Sequence, residues 1–309
     1  MAARPELELL FLTNYSDSSY QAIPAVAQLA SSLHLRITLL HAYNPRQSTQ
    51  RQAEDQLHSF SAEAAQYSDC RRVAVPGPAL AAVQKYAASH RFDLLVAPQR
   101  DRFGLPRIAH RSLRARLLQT IPAPLWTLGA AVPPRGFDRP IRNIACRMNY
   151  GASSILHFKL AANLAERLDA RLHLIDVVPD TDEATMLAPL TSSRPLSAGA
   201  AVARIAEHAV FMKRAPEIHV SAGNETRELR RLLDRCEAGL LFCGENQALR
   251  STLLGPQLDR SLDSCGCPVI AADAAALHYP GWNLPLNARR SAAAPARPTL
   301  EHGSLRIGA

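Results

Sequence analysis

The sequence predicts an α/β protein of two tandem, doubly wound halves, each with a parallel five-stranded sheet. Short apolar runs alternate with amphipathic helical stretches, the pattern of strands joined by right-handed crossover helices. The alternation occurs twice. Asn149-Tyr150-Gly151-Ala152-Ser153-Ser154 repeats Asn14-Tyr15-Ser16-Asp17-Ser18-Ser19 at an offset of 135 residues, and residues 172–177 repeat 37–42 at the same offset. In both copies the first and fourth strands run into polar loops, where open sheets of this type take their ligands.

Residues 7–13, Leu-Glu-Leu-Leu-Phe-Leu-Thr, read as a strand buried on both faces. Residues 14–19 are a polar turn rich in N-cap types, and 20–33 an amphipathic helix with Ala22, Ile23, Ala25, Val26, Leu29, Ala30 and Leu33 on one face. Aliphatic and β-branched residues 35–42 form strand two, 49–66 helix two and 70–75 strand three. Gly77-Pro78 opens helix three over 79–89, with the proline where its missing N–H is harmless. Strand four (93–98), a basic loop, a helix and strand five (124–128) complete the half, and Pro133, Pro134 and Pro140 mark a linker at 131–140. In the second copy Gly223 matches Gly77 and Gly244 matches Pro98 at an offset of 146, while Pro268 matches Pro124 at 144. The copy has therefore gained 11 residues between strands two and three and lost 2 in the strand-four loop. Changes confined to loops are what a duplication leaves. The gain, around 180–199, reads as a surface loop or lid leading into a helix at 200–214. The halves are bounded at 1–130 and 141–275, and residues 276–309, rich in Ala, Pro and Arg, are expected to be a structureless basic tail.

With 309 residues, 47% of them hydrophobic, the chain can fill two cores, which excludes a wholly disordered class. No run reaches the roughly 18–20 apolar residues of a membrane helix. Residues 1–8 lack the apolar core of a secretory signal, and six cysteines are too few for a disulfide scaffold, so a cytoplasmic location is expected. The net charge of +8 admits anionic partners, yet aromatics are only 6% and no basic stripe is interleaved with them, which argues against a nucleic-acid stacking platform.

The element order of each half, together with Phe92-Asp93-Leu94-Leu95-Val96 and Cys267-Pro268-Val269-Ile270, resembles the universal stress protein (UspA-like) family across residues 7–273. The resemblance implies Rossmann-like, adenine nucleotide alpha hydrolase-like domains and a non-enzymatic role in stress response. It also implies an internal pseudo-dimer paired through the fifth strands at 124–128 and 268–272. Nucleotide-binding members carry Gly-x2-Gly-x9-Gly-Ser/Thr after strand four, so that backbone N–H groups approach the phosphates, and an acid at the end of strand one. The first half has Pro98 and Asp101 at the first two glycine positions and Arg111-Ser112 where Gly-Ser is expected; the proline removes a donor and Asp101 repels phosphate. The second keeps Gly244, has Gln247 for the second glycine, reaches Gly255 after 7 residues and has Pro256 for the hydroxyl. Asn14 and Asn149 stand where the acid would. The reading is of degenerate nucleotide-binding loops in a protein that binds a ligand or partner. The alternative is a binder of ATP or another adenine nucleotide, with slow hydrolysis, in one retained pocket. Candidate site residues are Asn14, Ser16, Arg111 and Ser112 in the first half and Asn149, Gly223, Gly244 and Gly255 in the second.

Arg100, Arg102, Arg107, His110, Arg111, Arg114 and Arg116 crowd the first strand-four loop and its helix. They read as a site for a small anionic ligand or as a solvated basic face. Asn14, Ser16, Asp17 and Ser18 read as ligand-edge residues or as helix caps. Cys265-Gly266-Cys267, with Cys236 and Cys243 close in sequence, lacks the second pair or histidine spacing of a metal site, so no metal is assigned and Cys243 and Cys267 read as small core residues. His41 and Asp176 occupy matched positions near the end of strand two, with no nucleophile to make a catalytic set. A further homodimer of the pseudo-dimer stays open.

Overall fold

The computed structural model describes residues 7–33, 35–60, 70–97, 113–129, 140–148, 154–178, 212–244, 265–272, 299–301 and 304–306. The first half runs β1 (Leu7–Thr13), α1 (Asp17–Leu33), β2 (Leu35–Tyr43), α2 (Gln50–Phe60), β3 (Cys70–Pro76), α3 (Ala79–Ser89), β4 (Leu94–Val96), α4 (Leu113–Thr120) and β5 (Leu125–Thr127). The second runs β6 (Asn143–Arg147), α5 (Ser154–Leu168), β7 (Arg171–Val178), β8 (Glu217–Ala222), α6 (Glu225–Arg235), β9 (Leu240–Gly244) and β10 (Val269–Ala272). The helix expected at 200–214 and the loop before it lie outside the described residues.

Strand order is β3-β2-β1-β4-β5 in the first half and β8-β7-β6-β9-β10 in the second, the same order twice, with parallel neighbours inside each. Register repeats as well: Thr38 faces Arg71 across β2 and β3, and their counterparts His173 and Glu217 face each other across β7 and β8. β5 and β10 pair antiparallel, Trp126 opposite Ile270, so the halves do join through their fifth strands and the two sheets run on as one. An antiparallel step between two copies of a parallel sheet relates them as a two-fold axis would.

The strands are apolar on both faces because helices cover both. Along β1, Leu7, Leu9 and Phe11 enter one core layer and Leu10 and Leu12 the other. The first layer is completed by α1, α2 and α5 through Val26, Leu29, Leu57, Ala161 and Leu164; the second by α3, α4 and α6 through Val83, Leu117, Leu229 and Leu233. Each layer contains residues of both halves, so the cores are continuous across the β5–β10 junction.

Local chemistry sets the element ends. α1 starts at Asp17, three residues before the apolar periodicity, because Ser16 caps it: Ser19 N–H donates to the Ser16 carbonyl at 2.9 Å and to its Oγ at 3.4 Å. α2 opens on a capping box, with Gln52 N–H donating to Thr49 Oγ1 at 3.3 Å and Thr49 N–H to Gln52 Oε1 at 2.9 Å. Its expected continuation to 66 lies outside the described residues. Gly77 and Gly223 have φ of 114° and 134°, a conformation glycine alone adopts freely, which explains the glycine before each third-strand helix. Asp93 ties β4 to β1: its N–H donates to the Glu8 carbonyl at 2.7 Å and its carboxylate accepts the Glu8 N–H at 2.8 Å.

The tail composition predicts no structure, yet β11 (Thr299–Glu301) and β12 (Ser304–Arg306) form a hairpin that adds antiparallel to the outer edge of β8 through Leu305 and Ile218. An edge strand offers unpaired backbone groups, and the hairpin satisfies some of them. Among the described residues no helix is long and apolar enough to cross a membrane.

Candidate functional site

At the carboxyl edge of the first half, Thr13 of β1 lies opposite His41 of β2. Tyr15 follows in the left-handed region, with φ of 60°, which folds the turn back over the strand ends. Asn14 Oδ1 then accepts three bonds, from Ser16 N–H at 3.2 Å, Ser16 Oγ at 2.6 Å and Ser19 Oγ at 2.8 Å. The polar turn is thus closed on itself, and Asn14 and Ser16, two of the candidate residues, organise the start of α1. The Tyr15 ring lies on His41 with centroids 4.2 Å apart and meets Phe60 of α2 edge-on at 5.5 Å, while its hydroxyl donates to the Ala53 carbonyl at 3.3 Å. His41 Nδ1 donates to the Thr13 carbonyl at 3.0 Å, which fixes its neutral tautomer. Burial holds the His41 pKa below its ordinary value, the Thr13 bond partly opposing, and burial pushes the Tyr15 hydroxyl up. A shallow cleft of about 360 Å³ beside this stack is lined by Tyr15, Tyr20, Asp55, Gln56 and Ser59. Sequence reasoning placed Tyr15 and His41 near the ligand edge but did not bring Phe60 and Tyr20 to them.

The basic cluster separates into different roles. Arg114 is buried, 4% exposed, and its guanidinium donates to the Leu128 carbonyl at 3.2 Å and reaches Thr127 Oγ1 at 3.5 Å, so it anchors α4 to the end of β5. Its inclusion in a ligand-facing set is corrected: apolar neighbours on the helix carry it into the core. Arg116 is exposed. Arg100, Arg102, Arg107, His110, Arg111 and Ser112 lie outside the described residues.

In the second half Gly223 precedes α6, whose N-cap Asn224 accepts the Arg227 N–H at 3.2 Å. Glu228, one turn in, accepts from Ser221 Oγ and Arg231 Nε, both at 2.8 Å, and these two bonds hold its carboxyl below the usual range. Arg147 at the end of β6 is paired with Glu225. Gly244 ends β9, and a Cβ built on it would lie 2.8 Å from His157 Cε1. His157, on α5, sits in that space and reaches the Ala272 carbonyl at 3.0 Å through Nε2. The glycine is therefore required by an imidazole packed against the strand, a reason the spacing of loop glycines could not reveal. Asn149 and Gly255 lie outside the described residues. Cys243, Cys265 and Cys267 are buried in the core, as the apolar strand context of Cys243 and Cys267 predicts.

The sequence model of the universal stress protein family matches residues 152–272. No curated protein matches the chain. Among solved structures, a universal stress protein from Archaeoglobus fulgidus DSM 4304 superposes with a TM-score of 0.61 at 12% identity, covering 86% of this chain and 96% of that one. A functionally unknown protein from Pseudomonas aeruginosa PAO1 gives 0.59 at 15% identity over 89% and 95%. The cytoplasmic domain of a prokaryotic cation chloride cotransporter gives 0.50 at 13% over 88% and 98%. At these identities the structures speak to fold alone. Residues 152–272 therefore match the universal stress protein family, and the chain folds as two halves of one strand order in tandem, a fold it shares with these structures.

Proposed function

We propose that the chain is a tandem universal stress protein that acts in stress response by binding a ligand or partner, without catalysis, and that its nucleotide loops are degenerate. One observation carries this reading: at the carboxyl ends of β1 and β2, the groups that would meet a nucleotide are engaged with each other. Asn14 Oδ1 is taken by Ser16 and Ser19, and Tyr15 covers His41. The loop chemistry supports it, since Pro98 offers no donor and Asp101 repels phosphate. The ligand class that fits the charge of the first strand-four loop is a small anion or an acidic partner.

The test is calorimetric titration of the full chain with ATP and with inorganic phosphate, beside mass spectrometry of any small molecule that copurifies. No heat is expected up to millimolar ATP. Saturable ATP binding that Arg111→Glu or Asn14→Ala weakens would replace this reading with that of a nucleotide binder using a retained pocket.

A further inference from the structure

At the amino-terminal edge of the second half, opposite the edge just described, four metal-ligating side chains converge. β7 contributes His173 and β8 contributes Glu217 and His219, on alternate positions of one face. α6 runs back across the sheet and ends there, so its C-cap residue, Cys236, arrives at the same place. The ligand atoms of His173, His219 and Cys236 all lie within 4.8 Å of one another, and the three residues are 5%, 5% and 6% exposed. His173 Nδ1 is 3.1 Å from His219 Nε2, and Glu217 Oε2 is 3.6 Å and 3.9 Å from the same two nitrogens. Tetrahedral zinc with bonds of about 2.0–2.3 Å needs ligand atoms about 3.3–3.7 Å apart, which these separations bracket.

We propose that His173, His219, Cys236 and Glu217 form a zinc site. The donor set suits the metal, since imidazole and thiolate together select zinc over hard cations. Charge balances too: one thiolate and one carboxylate neutralise a dication, which a buried position requires. An outer partner is in place. His173 Nε2 faces Asn143 Oδ1 at 3.4 Å, and Asn143 Nδ2 donates to the Glu237 carbonyl at 3.4 Å, which orients the amide to receive the imidazole N–H. Burial, with the Glu217 carboxylate adding to it, pushes the Cys236 thiol up to about 11; a bound dication reverses that preference, because a coordinating thiol is deprotonated.

The fold does not demand these residues. The first half has Thr38, Arg71 and Val73 at the matched register positions and His90 at the matched helix C-cap. Two copies of one architecture thus differ where the second acquired a ligand set, and the difference is chemical rather than topological.

The full chain, stripped by chelation, is titrated with Co²⁺ and then Zn²⁺. One Co²⁺ per chain is expected, with tetrahedral d–d absorption and a thiolate-to-cobalt charge-transfer band, both bleached by an equivalent of Zn²⁺. Cys236→Ser removes the charge-transfer band, His219→Ala removes stoichiometric uptake, and Asn143→Ala weakens Zn²⁺ binding about 10- to 100-fold. Cys70→Ser, in the first half, leaves all three readouts as they were. Should a ligand variant fail to fold by circular dichroism, X-ray absorption of the Co²⁺-loaded wild type decides, with two imidazoles, one sulfur and one oxygen expected. The proposal is overturned by the absence of stoichiometric uptake at micromolar Co²⁺, by a charge-transfer band that survives Cys236→Ser, or by a metal shell without sulfur.

Discussion

A methyl group on Gly244 would have to displace the His157 ring, which also holds the Ala272 carbonyl at the end of β10. Gly244→Ala is therefore expected to cost about 1–3 kcal/mol, an overpacking penalty. His157→Ala should relieve much of that penalty in the double variant, and chemical denaturation of the four proteins of the cycle measures the coupling. Additive effects would show that the contact is soft. Arg114 is the matching case in the first half. Its buried guanidinium satisfies the Leu128 carbonyl, so Arg114→Leu should lower stability by about 1.5–3 kcal/mol, the worth of a hydrogen bond to a charged group. Arg116→Leu, on the exposed face of the same helix, should change it by no more than about 0.5 kcal/mol. Sequence spacing put both arginines in one basic cluster. Only the position of the apolar residues on α4 separates them, since Ala115, Leu117 and Leu118 set which side of the helix is buried.

The turn from β1 into α1 is an element whose chemistry was legible in the sequence and whose packing was not. Asn14, Ser16 and Ser19 are cap and turn types, and they cap and turn here. Ser16→Ala should cost about 1 kcal/mol, the usual loss for an N-cap, read as a shift in the denaturant midpoint. The aromatic stack above the turn depends on Phe60, delivered by a separate helix, and no local pattern foretells that meeting. It gives the element a pH dependence. Burial holds the folded-state pKa of His41 below its ordinary 6.5. As pH falls through 6.5 the unfolded chain takes up a proton that the folded chain resists, so the contribution is complete above 6.5 and is lost as pH falls below it. Between about pH 7.5 and about pH 5, the urea midpoint of His41→Gln should fall less than that of the wild type. Buried His173 titrates with the same sign in both proteins and drops out of the difference. Equal slopes would show that His41 stays accessible to its proton. The histidine pair at the other edge has a similar lesson. His173 and His219 interrupt apolar strands, a visible signal, but their meeting with Cys236 needs the β7–β8 register and the end of α6 together.

At the scale of the molecule, the duplicated sequence predicts a duplicated topology, and the β5–β10 pairing makes the copies one body. The offsets fix which residues correspond, whereas the choice of fifth strands as the seam came from family resemblance rather than from any pattern within β5. The seam is short, Leu125 to Thr127 against Val269 to Ala271, so its strength must come from side chains. Trp126 is the largest of them and is 1% exposed, packed in a core layer that contains residues of both halves. Trp126→Ala should cost about 3–5 kcal/mol by leaving a cavity in that shared layer. If the two halves unfold as one unit because of this layer, the variant should resolve into two calorimetric transitions where the wild type shows one. Cutting the chain is the sharper test. Residues 1–130 alone would present β5 as an uncovered edge with Trp126 beside it, a surface that recruits another strand. An antiparallel seam between like copies is already the geometry of a symmetric dimer, so the isolated half should dimerise through β5 at micromolar concentrations, and Trp126→Arg should hold it monomeric by light scattering. A folded half that stays monomeric with Trp126 intact would mean that the second half adds an interface without being needed to protect the first.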